Sequence, residues 1–158
     1  MPLIYRTEEI VSEGGLSFSG PIEETKSFAE DIASPTARLN ERLEAEFEIS
    51  IGSKELLLLG QIEGGFKLVC SRCGDEFEQS FTQELEETYP LSAPEIDVGE
   101  QIRQALVLVL PVKPLCRGDC RGLCPTCGVN RNKEACSCRP AISNPFGKLK
   151  DIYKRKEQ

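Results

Sequence analysis

Histidine and tryptophan are absent from this 158-residue chain, methionine occurs once, and aromatic residues make up 6%. The missing histidine removes the side chain that most often moves protons near neutral pH and often completes an open, catalytic metal site. Adjacent acids such as Glu86 and Glu87 do not replace it, because they fall in an alternating run and read as surface charge on a strand. Zinc-hydrolase and ribonuclease chemistry are therefore disfavoured, and a binding role without a small-molecule substrate is expected. Long apolar runs are lacking too. The longest, near Ala105–Leu110, is far short of the ~20 residues that cross a bilayer. No membrane association is expected. The opening stretch MPLIYRTEEI has acids where an export signal needs a basic start and an apolar run, which points to the cytoplasm.

Eight cysteines stand out against this background, and they fall as four close pairs: Cys70 and Cys73, Cys116 and Cys120, Cys124 and Cys127, Cys136 and Cys138. In a reducing compartment, paired cysteines point to metal rather than to disulfides. Four thiolates close one tetrahedral zinc site, so eight could hold one or two structural zinc ions. The segments Cys70-Ser-Arg-Cys73-Gly74 and Cys124-Pro-Thr-Cys127-Gly128 are the same device. Two intervening residues let both sulfurs face one ion, and the glycine permits the tight turn that aims backbone N–H groups at sulfur. A disulfide-stapled secreted domain and a redox pair at Cys70 and Cys73 are the competing readings; no βαβ pattern supports the latter. Three pairings of the close pairs exist. Loop closure favours joining neighbours, which puts Cys124/Cys127 with Cys136/Cys138 and leaves Cys70/Cys73 to meet Cys116/Cys120. An interleaved pairing is the competitor.

Charge is divided unevenly. Residues 1–110 hold 8 Lys and Arg against 22 Asp and Glu, whereas residues 111–158 hold 11 against 4. The acidic part should repel nucleic acid, and the basic end could meet phosphate. Candidate contacts for RNA or a partner are Arg117, Arg121, Arg131, Lys133, Arg139, Lys148, Lys150, Lys154, Arg155 and Lys156. Phe146 and Tyr153 are the only aromatics there, too few for sequence-specific stacking on single-stranded RNA.

The hydropathy pattern indicates an α+β fold: an antiparallel β-sheet, as a meander or partly closed barrel, with a packed helix, a C-terminal cysteine-rich zinc segment and a terminal basic helix. Three regions are expected: a strand-rich acidic body over 1–115, a zinc segment over 116–140, and a basic helix or tail over 141–158. Leu3–Arg6 reads as an edge strand and Leu16–Ser19 as a short strand, while residues 22–42 show no clear period and read as a mobile connection or a loose helix. Leu43–Ile51 alternates with one acidic face. Leu56–Leu59 reads as a second strand and Gln61–Val69 as a third, with a bulge or break at Gly64-Gly65. Beyond the Cys70–Gly74 turn, Phe77, Phe81, Leu85 and Tyr89 share one face of a long strand pattern. A helix over about 98–110 should start with Asp97 as N-cap and Glu100 three residues on. Ile102, Ala105, Leu106 and Val109 form its apolar face, widened by Leu108 and Leu110. Asn144-Pro145 reads as the start of the last helix.

The strings LVLVLPVKPLC (106–116) and CRGLCPTCGVNRNKEACSC (120–138) resemble the signature of the YceD-like family. LVCSRCGDEF (68–77) and the Asn-Pro-Phe start at Asn144 are similar in the same order, so the resemblance covers about the last ninety residues. Gly74 stands where many members have Leu, and members differ in how many C-terminal cysteines they keep. The resemblance implies a role in accumulation of large-subunit (23S) ribosomal RNA through its synthesis, processing or stability. The partners it implies are that RNA or a pre-ribosomal particle. A large-subunit ribosomal protein is a further candidate, since the family's genes commonly lie beside the gene for one. An acidic protein-binding module or chaperone for such a protein, with no RNA contact, is the alternative.

Overall fold

The structure is a computed structural model that describes residues 3–23, 25–40 and 42–138. It is α+β, built on a curled antiparallel sheet. In chain order the elements are β1 (Ile4–Arg6), α1 (Thr7–Glu13), β2 (Leu16–Pro21), α2 (Thr25–Ile32), β3 (Ala37–Leu39), β4 (Glu44–Ile51), β5 (Glu55–Val69), β6 (Glu76–Pro90), β7 (Glu95–Asp97) and α3 (Val98–Val109). The last expected helix, from Asn144, lies outside the described residues.

Strands β4, β5 and β6 form a meander, with β2 on the far side of β4. β5 is the spine: β6 pairs along its full length on one edge, while β4 and then β3 share the other. β2 and β6 do not pair with each other among the described residues, so the sheet curls without closing. A second sheet holds only β1 and β7.

Alternation decides which face is buried. Ala45, Phe47 and Ile49 of β4 point inward with Leu56, Leu58, Ile62, Phe66 and Leu68 of β5 and Phe81 and Leu85 of β6. Phe66 stacks on Phe81 (centroids 4.7 Å apart) and Phe18 on Phe47 (5.1 Å). α3 covers this core with Ile102, Ala105 and Leu106, and its start is capped as expected: the Glu100 N–H donates to Asp97 Oδ1 (3.2 Å).

Two expectations need correction. The strands expected at Leu56–Leu59 and Gln61–Val69 are one 15-residue strand, and its register against β6 runs unbroken through Gly64-Gly65. Those glycines mark close approach, not a bulge. A Cβ on Gly64 would lie 2.9 Å from Phe81 Cζ, and one on Gly65 2.7 Å from Asn40 Nδ2. Leu108 does not widen the packed face; it is 81% exposed, because two residues along a helix from Leu106 is more than half a turn. Residues 22–42 hold α2, in keeping with the loose-helix alternative, together with β3, and α1 falls where the sequence pattern predicts no helix. α2 is only two turns long, with Phe28 and Ile32 buried, too short for periodicity to emerge.

Candidate metal centre

Both cysteine knuckles have one backbone geometry. In the first, at the tip of the β5–β6 hairpin, the Gly74 N–H donates to Cys70 O (2.9 Å) and the Cys70 N–H to Asp75 O (2.9 Å). In the second, the Gly128 N–H donates to Cys124 O (2.9 Å) and the Cys124 N–H to Val129 O (2.8 Å). Gly74 and Gly128 have φ of 73° and 74°, the left-handed region that a side chain disfavours. This turn leaves the N–H groups after the first cysteine free to face its sulfur. Burial opposes ionisation of Cys70, yet N–H groups of Cys116, Cys73 and Arg72 outweigh it and bring the thiol down to about 6. The Cys127 and Thr126 N–H groups bring Cys124 down to about 6 as well.

The structure brings the sulfurs of Cys70, Cys73, Cys116 and Cys120 within 4.8 Å of one another, and likewise those of Cys124, Cys127, Cys136 and Cys138. This is the grouping that loop closure favours. All eight are free thiols. In the first tetrad Cys70 and Cys120 sulfurs are 3.8 Å apart and those of Cys73 and Cys116 3.7 Å. A tetrahedron with arms of ~2.3 Å, the usual zinc–sulfur length, has edges of ~3.8 Å. The donor set and spacing thus fit zinc. Crowding resists full ionisation without a cation. Burial and the neighbouring thiols push Cys116 up to about 12, and Cys127 with burial does the same to Cys138. A divalent ion in each tetrad would hold its four cysteines as thiolates and supply a cross-link; a closed four-thiolate site leaves no open position for water.

The first tetrad ties the hairpin tip to the segment following α3. Three of its cysteines are buried, whereas in the second Cys127 is exposed and Cys136 and Cys138 are half-buried.

The family model for the large ribosomal RNA subunit accumulation protein YceD matches residues 83–153, a segment that holds six of these cysteines. Residues 83–153 are YceD-like. A maize protein named large ribosomal RNA subunit accumulation protein YCED homolog 1, chloroplastic, is 32% identical over 93 residues, covering 58% of this chain and 31% of the relative. The Arabidopsis thaliana homologue of the same name is 32% identical over 73 residues, 44% of this chain and 23% of its own. An uncharacterized protein of Mycobacterium tuberculosis is 31% identical over 127 residues, 70% of this chain and 61% of that protein. The chain thus spans less than a third of the chloroplast relatives it matches. No solved structure matches it. Among the described residues no helix is long and apolar enough to cross a membrane.

Within the YceD-like segment the expected contact residues divide by what they touch. Lys133 donates to Asp75 Oδ1 (2.9 Å), which raises the Lys133 pKa and lowers that of Asp75. Arg117 reaches Asp119 (3.4 Å) and Asn132 Oδ1 (2.9 Å). Arg121 and Arg131 are exposed and make no side-chain hydrogen bond or ion pair among the described residues. Arg139, Lys148, Lys150, Lys154, Arg155 and Lys156 lie outside the described residues. Sequence reasoning missed Arg72, whose guanidinium donates to Cys120 O (3.0 Å), and the asparagines Asn130 and Asn132. Their only signal was a pair of polar residues inside the string shared with the family.

Proposed function

We propose that this chain is a non-enzymatic ribosome-biogenesis factor that supports accumulation of large-subunit 23S rRNA in the cytoplasm. In this reading each cysteine tetrad holds a structural zinc ion. The observation that carries it is the family match across residues 83–153, which takes in the basic, cysteine-rich end. The relatives named for rRNA accumulation and the local excess of Lys and Arg support the same role. Two four-thiolate centres would each add about −2 to this end, so affinity for phosphate would rest on cations that stand clear of them. Arg121 and Arg131, exposed and without a side-chain partner among the described residues, are the candidates, and Arg139, Lys148, Lys150, Lys154, Arg155 and Lys156 extend the set by sequence.

Binding to 23S rRNA or its precursors should weaken steeply with salt. Arg121→Glu with Arg131→Glu should weaken it and flatten the slope of log K against log salt by roughly 1 to 2, about one for each phosphate left without its cation. Fluorescence anisotropy across a salt series checks this. Unchanged affinity and slope would remove these arginines from the interface.

A second reading, docking of a basic large-subunit ribosomal protein, is favoured by the outer face of the sheet. There Glu46, Gln61 and Glu84 line up across three strands, as do Glu48, Leu59 and Glu86, around an open groove of about 660 Å³. Such a row repels RNA and suits Lys and Arg. Charge reversal at Glu46, Glu48 and Glu84 would abolish binding to the particle under this reading and spare it under the first.

A further inference from the structure

The second cysteine tetrad reaches well beyond its own knuckle. Its two close pairs, Cys124/Cys127 and Cys136/Cys138, enclose the loop 128–135 and pin both ends of it. The middle of that loop is fastened to the first tetrad. Asn132 Nδ2 donates to Cys120 Sγ (3.2 Å). The Asn132 Oδ1 accepts from the Arg121 N–H (2.8 Å) and from the Arg117 guanidinium (2.9 Å), on either side of Cys120. Asn130 Nδ2 and Lys133 Nζ both donate to Asp75, two residues beyond Cys73 (2.9 Å each). Asn130 Oδ1 accepts from the Asn132 N–H and Nδ2 (3.0 Å each), so the two asparagines brace each other.

Below this brace the chain approaches the first knuckle closely. The Leu123 N–H donates to Arg72 O (2.9 Å), and a Cβ on Gly122 would lie 2.9 Å from the same oxygen. The second knuckle is thus seated on the first, and residues 128–135 connect the seat to the thiolate of Cys120.

We infer that the second tetrad, when it holds metal, is a lock on the first, with Asn132 as the positioning residue that transmits it. This rests on the reading of both tetrads as zinc centres. The physical cause is loop entropy. With its ends pinned by metal, the loop presents Asn130, Asn132 and Lys133 already in place. Without that metal, the same hydrogen bonds must form against the freedom of an open tail. The amide hydrogen bond to sulfur also stabilises Cys120 as a thiolate and fixes its direction. The exposed Cys127 makes the second centre the one that a chelator or oxidant reaches first, so its loss releases the lock on the buried centre. Coupling of this kind is reciprocal: each metal tightens the other by the same factor.

The test is a cycle of zinc affinities for the first centre, measured by chelator competition on the full chain. The four proteins are the wild type, Cys127→Ser with Cys138→Ser, Asn132→Ala, and all three changes together. Removing the second centre should weaken the first by about tenfold, within the 5–150-fold span usual for coupled sites. Asn132→Ala should produce most of that loss alone. Added to the cysteine changes it should do little more, since both act through one loop. Asn130→Ala, which removes the brace between Asn132 and Asp75, should give a smaller loss in the same direction. In the cobalt-loaded protein Asn132→Ala should also shift the thiolate charge-transfer band to lower energy, a change that loss of packing alone would not produce. A first-centre affinity that is the same with and without the second centre overturns the lock while leaving two zinc centres in place. Fully additive losses overturn the role of Asn132. A wild type that takes up no zinc overturns the lock together with the zinc reading itself.

Discussion

Cys73→Ser should lower bound zinc from two ions per chain to one and destabilise the protein by about 4 kcal/mol, in the range where loss of a metal stands apart from ordinary surface changes. Serine is a poor ligand at neutral pH, and it leaves the buried Cys70 and Cys120 with Cys116 in a cluster that cannot all ionise. The tip of the β5–β6 hairpin then loses its tie to the segment after α3. The loss should fall short of the ~10–16 kcal/mol of zinc binding seen in isolated zinc-finger peptides, because those are unfolded without metal. Here Phe66, Leu58, Ile62 and Leu106 build a core that does not depend on the tetrad. Metal analysis and urea melts on the reduced protein check both halves. Far-UV circular dichroism should stay close to wild type, since the sheet persists. Two zincs and an unchanged midpoint would remove Cys73 from the ligand set.

Gly60→Ala should cost about 3 kcal/mol or more, although it adds a single methyl group. On β5, opposite Phe47 of β4, the added Cβ would lie 2.3 Å from Glu46 O, 2.4 Å from Phe47 Cβ and 2.6 Å from Phe47 Cα. Two of those atoms are backbone, so no rotamer change relieves the clash, and the β4–β5 pair must part there. Gly118→Ala is the matched control. Nothing lies within 4 Å of its Cβ position, and its stability should stay within about 0.5 kcal/mol of wild type. A Gly60→Ala protein as stable as the control would show that β4 and β5 do not approach this closely.

The same glycine shows where sequence reading stopped. Alternation in β4 was legible because one face is apolar and the other acidic over eight residues, and in β6 because Phe77, Phe81, Leu85 and Tyr89 recur on one face of a fifteen-residue run. Gly60, Gly64 and Gly65 broke that pattern in β5, and a glycine that permits close approach looks the same in sequence as one that ends a strand. The helix α3 was legible from its cap and its period, whereas α1 and α2 complete about two turns each and leave too few apolar positions to establish one. Cysteine spacing alone suggested which thiols share a centre, because ligand geometry is local and loop closure ranks the pairings. The asparagines between the centres were not legible. Asn130 and Asn132 read as ordinary loop residues until the second knuckle is folded onto the first, which no local pattern records.

Both metal centres and the coupling between them depend on one quantity, the zinc content of the folded chain. Native mass spectrometry of reduced, full-length protein measures it without disturbing either tetrad. Two zinc ions per chain, falling to one when Cys127 and Cys138 are both serine, is the predicted result. A mass without zinc, or one showing disulfides in its place, would contradict the account.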